Sequence, residues 1–333
     1  MTPSFAIIGC GRISRRHAEQ IIKIGKLAAV CDIIYEHAEE LGQEYGSRIY
    51  TSIDELLAKE TEVSIVCICT PNGLHAYHSI LCLKAMKHVL CEKPLSIYST
   101  DAKKMIAAAN EANKKLFVVK QNRYNPPVIA IKNLLTEDKL GNIFSFQVNC
   151  FWNRPVAYYS SPWKGTKDLD GGVLYTQFSH FIDLLYWFLG DVKEVRSITR
   201  NFEHHTIETD DTGVAIIEMV SGAIGTLNYT TNSYQKNMEG SIALFGEKGT
   251  VKIGGQYLNE LEYQSLDEEI NALPPGKPAN MYGFYQGSMS NHDKIYEHLL
   301  KAIEEPGYEF ASAIDGLKTV EIIEKIYAQA SLP

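Results

Sequence analysis

No apolar run in this sequence is long enough to span a bilayer, and it contains neither an internal repeat nor a low-complexity stretch. A membrane span and a repeat architecture are thereby set aside. The beginning, Met1-Thr2-Pro3-Ser4-Phe5, lacks the basic region and apolar core of a secretion signal, so a cytoplasmic location is expected. Positive charge is scarce as well: 32 Lys and Arg face 40 Asp and Glu, a net charge of -8. That balance argues against a general nucleic-acid or membrane-surface binder. An anionic substrate stays open, because a phosphate needs only a local cluster of donors. Cysteine occurs seven times, an odd number scattered through apolar segments. This is the pattern of reduced core thiols and not of a disulfide framework. Cys67 and Cys69 have no second metal-binding pair, and His75, His78 and Cys82, which can share a helix face, have no carboxylate to complete a site. No metal is expected.

What is present is 333 residues, 45% hydrophobic and 22% charged, enough for two domains with a core each. An apolar strand over 5–8 runs into Gly9-Cys10-Gly11-Arg12-Ile13-Ser14 and a helical segment. Strand, glycine turn and helix open a dinucleotide-binding unit: Gly9 permits the tight turn, and Gly11 removes the side chain that would keep a pyrophosphate from the helix N-terminus. The third small position is Ser14. The next strand, 27–31, ends in Asp32, about twenty residues past the glycines, where a carboxylate binds the adenosine ribose and repels the extra phosphate of NADP. NAD is the expected cofactor. Helices over 35–45 and 53–59 and a strand over 63–69 continue the alternation of a doubly wound sheet. Thr70-Pro71-Asn72 closes that strand and either reaches the cofactor or caps the next helix.

A helix over 73–87 and a strand over 88–91 lead to Glu92-Lys93-Pro94. Proline stops the ladder, and in an open parallel sheet ligands lie beyond the carboxyl ends of strands, which is where Lys93 falls. Lys120-Gln121-Asn122-Arg123 repeats that logic after a strand over 117–119. Beyond it the pattern changes, which sets the domains at 1–122 and 123–333. Strand candidates at 143–151, 192–200, 211–219, 223–232, 240–245 and 249–253 predict a largely antiparallel sheet with a broad face open to contacts between copies. Helices over 290–304 and 311–330 are expected to cover it. The fold class is α/β: an N-terminal Rossmann dinucleotide-binding domain and a C-terminal α/β domain on a large open, mainly antiparallel sheet.

Two segments of the second domain carry polar chemistry. Residues 151–166 hold Arg154, Tyr158, Tyr159 and Lys164 among aromatic neighbours. They can grip a sugar and its anionic groups by stacking and charge-assisted hydrogen bonds, or form an aromatic-stabilised surface loop. In 170–187, Gly171-Gly172 opens a helix that sets Thr176, His180 and Asp183 on neighbouring turns of one face.

Taken together, Gly9-x-Gly11, Asp32, Glu92-Lys93-Pro94 and Gly171-Gly172 leading to His180-x-x-Asp183 resemble the Gfo/Idh/MocA oxidoreductases over essentially the whole chain. Within that family the chain is similar to the WlbA-type UDP-N-acetylglucosaminuronate 3-dehydrogenases. The similar stretches are 117–123, 151–155 with Tyr158-Tyr159, Gly165-Thr166, Asp170-Gly171-Gly172, Gln177, Ser179-His180, 237–242 and 246–251. The resemblance implies a dimer or tetramer built through the open sheet and admits a cis Lys93-Pro94 bond. It also implies NAD-dependent oxidation of the sugar C3 hydroxyl of UDP-N-acetylglucosaminuronate (UDP-2-acetamido-2-deoxy-glucuronate), preparing C3 for transamination in surface-polysaccharide synthesis. Cofactor contacts are expected from Gly9, Gly11, Arg12, Ile13, Asp32, Thr70, Asn72, His75, Glu92, Lys93 and Gln121. Substrate contacts are expected from Arg123, Asn125, Arg154, Tyr158, Tyr159, Lys164, Thr176 and His180. The chain departs from many relatives at Thr176, where they have an aspartate four residues before the histidine.

Oxidising a secondary alcohol takes a hydride acceptor over one face of the carbon and a base for the hydroxyl proton. His180 is the expected base and Lys93 the donor to the developing alkoxide; a lysine of lowered pKa can exchange roles with it. Arg123 or Arg154 is the expected partner of the uronate carboxylate. Reoxidation of NADH in place by a 2-oxoacid stays open. So do three other substrates: UDP-N-acetylglucosamine, a free sugar or inositol, and a glycoside hydrolysed by an enzyme that retains NAD.

Overall fold

Six short apolar strands, β1 (Ser4–Ile8), β2 (Lys26–Cys31), β3 (Arg48–Tyr50), β4 (Ile65–Ile68), β5 (His88–Cys91) and β6 (Leu116–Val118), form one sheet in a computed structural model that describes residues 2–330 apart from 284, 306 and 309. Each neighbouring pair is parallel, and the order is β3-β2-β1-β4-β5-β6. Parallel strands are covered on both faces, which is why residues 5–8 and 65–68 are apolar and buried without alternation. The crossovers are α1 (Arg12–Ile24), α2 (Tyr35–Tyr45), α3 (Ile53–Lys59), α4 (His75–Lys84) and α5 (Ser99–Glu111). Winding reverses between β1 and β4, so their carboxyl ends open the crevice in which this fold holds a dinucleotide. This is the expected Rossmann domain.

The chain then forms α6 (Pro126–Thr136), β7 (Ile143–Phe151), α7 (Val173–Thr176), α8 (Ser179–Leu189), β8 (Val192–Arg200), β9 (Thr212–Met219), β10 (Ile224–Thr230), β11 (Glu239–Gly246), β12 (Gly249–Gly254) and β13 (Glu260–Leu266). Seven of these strands make a mixed sheet in the order β13-β12-β11-β7-β10-β9-β8. Only β7 and β10 pair in parallel; the other ladders are antiparallel. In β9 the residues alternate between buried Ala215 and Ile217 and exposed Val214 and Ile216, as expected of a sheet covered on one face. Cross-strand partners extend the exposed row: Val214 faces Ile198 of β8, and β10 adds exposed Ile224. A small hairpin of β14 (Ala279–Met281) and β15 (Gln286–Met289) precedes α9 (His292–Glu304) and α10 (Ala313–Ala328). No helix among the described residues is long and apolar enough to cross a membrane.

Two compact units result: one runs through Lys120 and regains His292–Val320, the other comprises Gln121–Asn291 and the segment from Glu321. The sequence reading placed all of 123–333 in the second domain. Residues 292–320 join the first because the apolar face of α9, with Ile295, Tyr296 and Leu299, is buried there against α1. Ala313 and Leu317 of α10 likewise enter the core of the parallel sheet, and Gly316 lies so close to Leu95 that a Cβ would come within 2.8 Å of its side chain. A second difference concerns the helix opened by Gly171-Gly172. It is two helices, α7 and α8, because the amides of Gln177 and Phe178 both turn back to the Val173 carbonyl. Thr176 and His180 therefore do not share one helix face.

Candidate active site

The first unit builds a cradle at the end of β1. Gly9 has φ +90°, and a Cβ there would lie 2.7 Å from the backbone of Cys69 and Thr70, so only glycine fits between the two strand ends. A Cβ on Gly11, in contrast, meets nothing within 4 Å. Helix α1 starts behind that open space with no side-chain cap and no acidic residue in its first turn. Its amino-terminal amides and positive dipole end thus face the position a pyrophosphate takes in this fold, with Arg12 exposed and Ile13 half-buried at the entrance. Buried Ser14 closes the turn, its hydroxyl donating to the Gly11 carbonyl at 2.5 Å. Asp32 accepts the amides of Cys10 at 2.7 Å and Ile34 at 2.9 Å, which fixes its carboxylate beside the glycine turn. These features fit NAD.

Lys93 leaves the end of β5 half-buried, in the turn closed by a cis Lys93-Pro94 bond. Its amide donates to Glu92 Oε2 at 3.0 Å. His75, at the start of α4, puts Nδ1 2.6 Å from the Pro94 carbonyl and Nε2 2.8 Å from that of Thr70. Thr70 Oγ1 lies 3.1 Å from His78 Nδ1. Gly9, Asp32, Thr70, His75, Glu92 and Lys93, scattered in sequence, are thus held at adjoining strand ends. Asn72 is buried in the turn before α4. Lys120 turns away, its Nζ donating to Thr319 Oγ1 of α10 at 2.9 Å.

In the second unit His180 is buried on the first turn of α8, with the Gln121 side-chain nitrogen 3.3 Å from its Nε2. The same Gln121 nitrogen donates to Ser288 Oγ at 3.1 Å, and Gln121 Oε1 is buried without a hydrogen-bond partner. With the amide nitrogen towards the ring, Nε2 is the acceptor and its lone pair faces Gln121. Arg123 forks onto Asp183, Nε to Oδ2 at 2.8 Å and Nη2 to Oδ1 at 2.7 Å. Asn125 gives its amide to the carbonyls of Tyr257 and Leu258 and accepts from Asn291 at 2.7 Å. Both side chains direct these groups to the protein itself. Thr176 gives its hydroxyl to Asp170, whose other oxygen accepts the Gly165 amide at 2.5 Å.

Arg154 is the centre of the remaining cluster. Only 2% exposed, its guanidinium lies 5.0 Å from the Trp152 ring, 5.5 Å from Tyr158 and 5.2 Å from Tyr285. It donates to Gln177 Oε1 at 2.6 Å, the Asn153 carbonyl at 2.6 Å and Asn237 Oδ1 at 3.2 Å, all neutral acceptors. Burial works against its charge while the surrounding tyrosines favour it, and the net direction is a lowered pKa. Lys164 Nζ sits 3.3 Å from the Tyr158 ring centre, and Tyr159 packs edge-on against that ring at 5.0 Å. Burial pushes the Tyr158 phenol well above its ordinary pKa. Arg154, Lys164, Tyr158 and Tyr159 therefore form one cationic, aromatic-walled group, suited to an anionic or sugar-like ligand. Sequence reasoning missed Asn237 and Tyr285 as its walls and Ser288 beside Gln121. Each comes from a distant loop or strand; Asn237 opens the 237–242 stretch that carries the family resemblance, the one signal that could have found it, and no local pattern marks Tyr285 or Ser288.

A family profile described as the oxidoreductase family with an NAD-binding Rossmann fold matches residues 4–120, and one for the GFO/IDH/MocA C-terminal domain matches residues 128–252. The solved WlbA dehydrogenase of Chromobacterium violaceum, in complex with NADH and UDP-GlcNAcA, superposes with a TM-score of 0.90 at 34% identity, over 99% of this chain and 94% of that one. The WlbA dehydrogenase of Bordetella pertussis, with the same two ligands, gives 0.89 at 32% identity over 99% and 97%. The D-apiose dehydrogenase of Paraburkholderia graminis is 25% identical over 98% of this chain and 87% of its own.

Proposed function

Because the chain belongs to the Gfo/Idh/MocA family of NAD-dependent oxidoreductases, we propose that it oxidises the C3 hydroxyl of UDP-N-acetylglucosaminuronate to the 3-keto sugar. The observation that carries the substrate is Arg154: a buried cation whose acceptors among the described residues are neutral is matched by a ligand carboxylate. The two WlbA structures, which hold UDP-GlcNAcA, support the same choice.

Gly9, Gly11 and the N-terminus of α1 take the pyrophosphate, and Asp32 takes the adenosine ribose. NAD, when bound, supplies the hydride acceptor. Lys93 donates a hydrogen bond to the C3 oxygen and stabilises the charge that develops on it. His180 accepts the hydroxyl proton at Nε2 once the substrate hydroxyl takes the place of the Gln121 amide N–H, which holds that nitrogen in the acceptor state beforehand. Tyr158, Tyr159 and Lys164 enclose the sugar and its anionic groups around Arg154. The product is a 3-keto nucleotide sugar fit for transamination in surface-polysaccharide synthesis. The reading includes a cytoplasmic enzyme, reoxidation of NADH by a 2-oxoacid, and a homo-oligomer in which a second copy covers Ile198, Val214, Ile216 and Ile224.

The test is mass spectrometry of UDP-N-acetylglucosaminuronate incubated with the protein and NAD, with and without 2-oxoglutarate, beside UDP-N-acetylglucosamine and free sugars. Loss of two hydrogens from the uronate is expected, with multiple turnover when the oxoacid is present. Oxidation of the non-uronate alone, or of a free sugar alone, overturns the substrate.

A further inference from the structure

Lys93 stands in a turn whose polar groups are tied to three buried histidines, none next to it in sequence. On the upstream side Glu92 is the link. One of its oxygens receives the Lys93 amide at 3.0 Å; the other lies 2.9 Å from Nε2 of His17, a fully buried residue of α1. Nδ1 of His17 meets the Tyr296 hydroxyl at 2.7 Å, and that hydroxyl touches Cys67 Sγ at 3.2 Å. His292 brings Nε2 to 3.6 Å from the same Glu92 oxygen, and its ring packs edge-on against His17 with centres 5.4 Å apart. On the downstream side His75 bridges the carbonyls of Pro94 and Thr70.

A buried carboxylate next to a reacting lysine costs several kcal/mol unless a partner offsets it. A surface turn has no use for such a group. Burial opposes ionisation of Glu92, but the hydrogen bond from His17 and the nearby His292 ring outweigh it and hold its pKa well below the carboxylate range. For His17, too, burial opposes the charge; Cys69 and Glu92 prevail and push it up to about 10. The result is an ionised pair locked in one geometry, with every atom of the Glu92 carboxylate directed. Two imidazoles and a carboxylate whose ligand atoms lie within 4.8 Å also have the composition of a metal site. The 2.9 Å approach of His17 to Glu92 is instead that of a direct charge-assisted hydrogen bond.

We propose that His17, with His292 behind it, and His75 are positioning residues for Lys93: they clamp the turn on both sides and fix the point from which the lysine reaches the substrate hydroxyl. The proposal rests on Lys93 acting at that hydroxyl. Reaction geometry is steep in distance, a misplacement of about 1 Å costing roughly 100-fold, so a loosened turn should show in kcat before it shows in binding.

The experiment compares His17→Leu, His17→Gln and His17→Asn with Lys93→Met, measuring kcat and KM for UDP-N-acetylglucosaminuronate, NADH affinity by fluorescence, and thermal melting. Gln places an amide where Nε2 was, whereas Asn mimics Nδ1. The expected pattern is a kcat lowered at least about tenfold in His17→Leu and His17→Asn with NADH affinity within about twofold, and most of kcat regained in His17→Gln. His75→Asn, which keeps the Nδ1 contact to Pro94, should likewise exceed His75→Leu in kcat. If His17→Leu does not fold, the Gln and Asn pair decides. Equal kcat in those two, or losses in kcat that only follow the melting temperature, overturn the proposal. So does a divalent ion released in equal amount from the purified protein. An active Lys93→Met would remove the catalytic reading itself; an inactive Lys93→Met beside a fully active His17→Leu removes the positioning proposal alone.

Discussion

Arg123 and Arg154 both lie buried in the second unit, 9% and 2% exposed, and both stack on tryptophan. They differ in what accepts their hydrogen bonds. Arg123 spends two donors on Asp183, so its charge is cancelled within the protein. Arg154 reaches two side-chain amides and a carbonyl, and makes no ion pair among the described residues. Dipoles orient towards a cation without neutralising it, so the environment of Arg154 stays electropositive. A buried arginine is therefore read by its partner: one that is paired holds the fold, and one that has only dipoles awaits an anion.

The largest effect should come from breaking the pair. Arg123→Met strands Asp183 as a buried carboxylate and should destabilise the protein by about 3–5 kcal/mol in denaturant unfolding, with much of the loss recovered when Asp183→Leu is added. Arg154→Met removes an unneutralised charge together with three hydrogen bonds, so it should cost less stability than Arg123→Met, and it should weaken apparent affinity for the uronate by roughly 10- to 100-fold, a charge-assisted hydrogen bond being worth about 1.5–3 kcal/mol. Affinity for UDP-N-acetylglucosamine should barely move. If both arginines cost stability and neither costs affinity, the contrast between them collapses.

Asp210 extends the comparison to a carboxylate whose side-chain partners are phenolic hydroxyls. The Tyr229 hydroxyl donates to it at 2.5 Å, yet burial outweighs this and the neighbouring Tyr327 and raises its pKa to about 6. A carboxylate raised in the folded state favours folding when protonated, so this contribution is full below its unfolded pKa near 4 and is lost as pH rises through about 6. Asp210→Asn should flatten that limb of a melting-temperature profile while leaving the acid side in place. The smallest effect on the monomer should follow Ile216→Lys on the open sheet face. It should leave melting of the isolated chain within a degree or so but lower the mass measured by light scattering, and an unchanged mass would remove that face as the contact between copies.

Residues that work with near neighbours in sequence were legible in the chain. Gly9, Gly11 and Asp32 belong to one strand-helix-strand unit, and the strand candidates at 88–91, 143–151 and 192–200 coincide with β5, β7 and β8. Asp183 was placed on the right helix, but its partner Arg123 stands 60 residues away, and no spacing rule pairs them. His17 meets Glu92 across 75 residues and Tyr296 across 279, which an α1 pattern of buried apolar positions does not foretell. The break between α7 and α8 was hidden because the apolar periodicity runs through it; Gln177, marked by the family resemblance, gains its role as the acceptor of Arg154 only in the fold. Strand β13 escaped notice because Glu260 and Glu262 interrupt the apolar pattern of an edge strand that has little to bury.

The chain leaves its first unit at Lys120 and returns at His292, and that order is also the order of synthesis. A ribosome that has finished β6 has made His17 and Glu92 but neither His292 nor Tyr296. Until the whole intervening unit has been translated, the Lys93 turn lacks half of its surroundings, and the face of α1 that α9 covers is open to water or to chaperones. The nascent first unit therefore waits for residues 292–320 to close, and the stretch up to Lys120 alone is an unfinished domain rather than a small dinucleotide-binding protein.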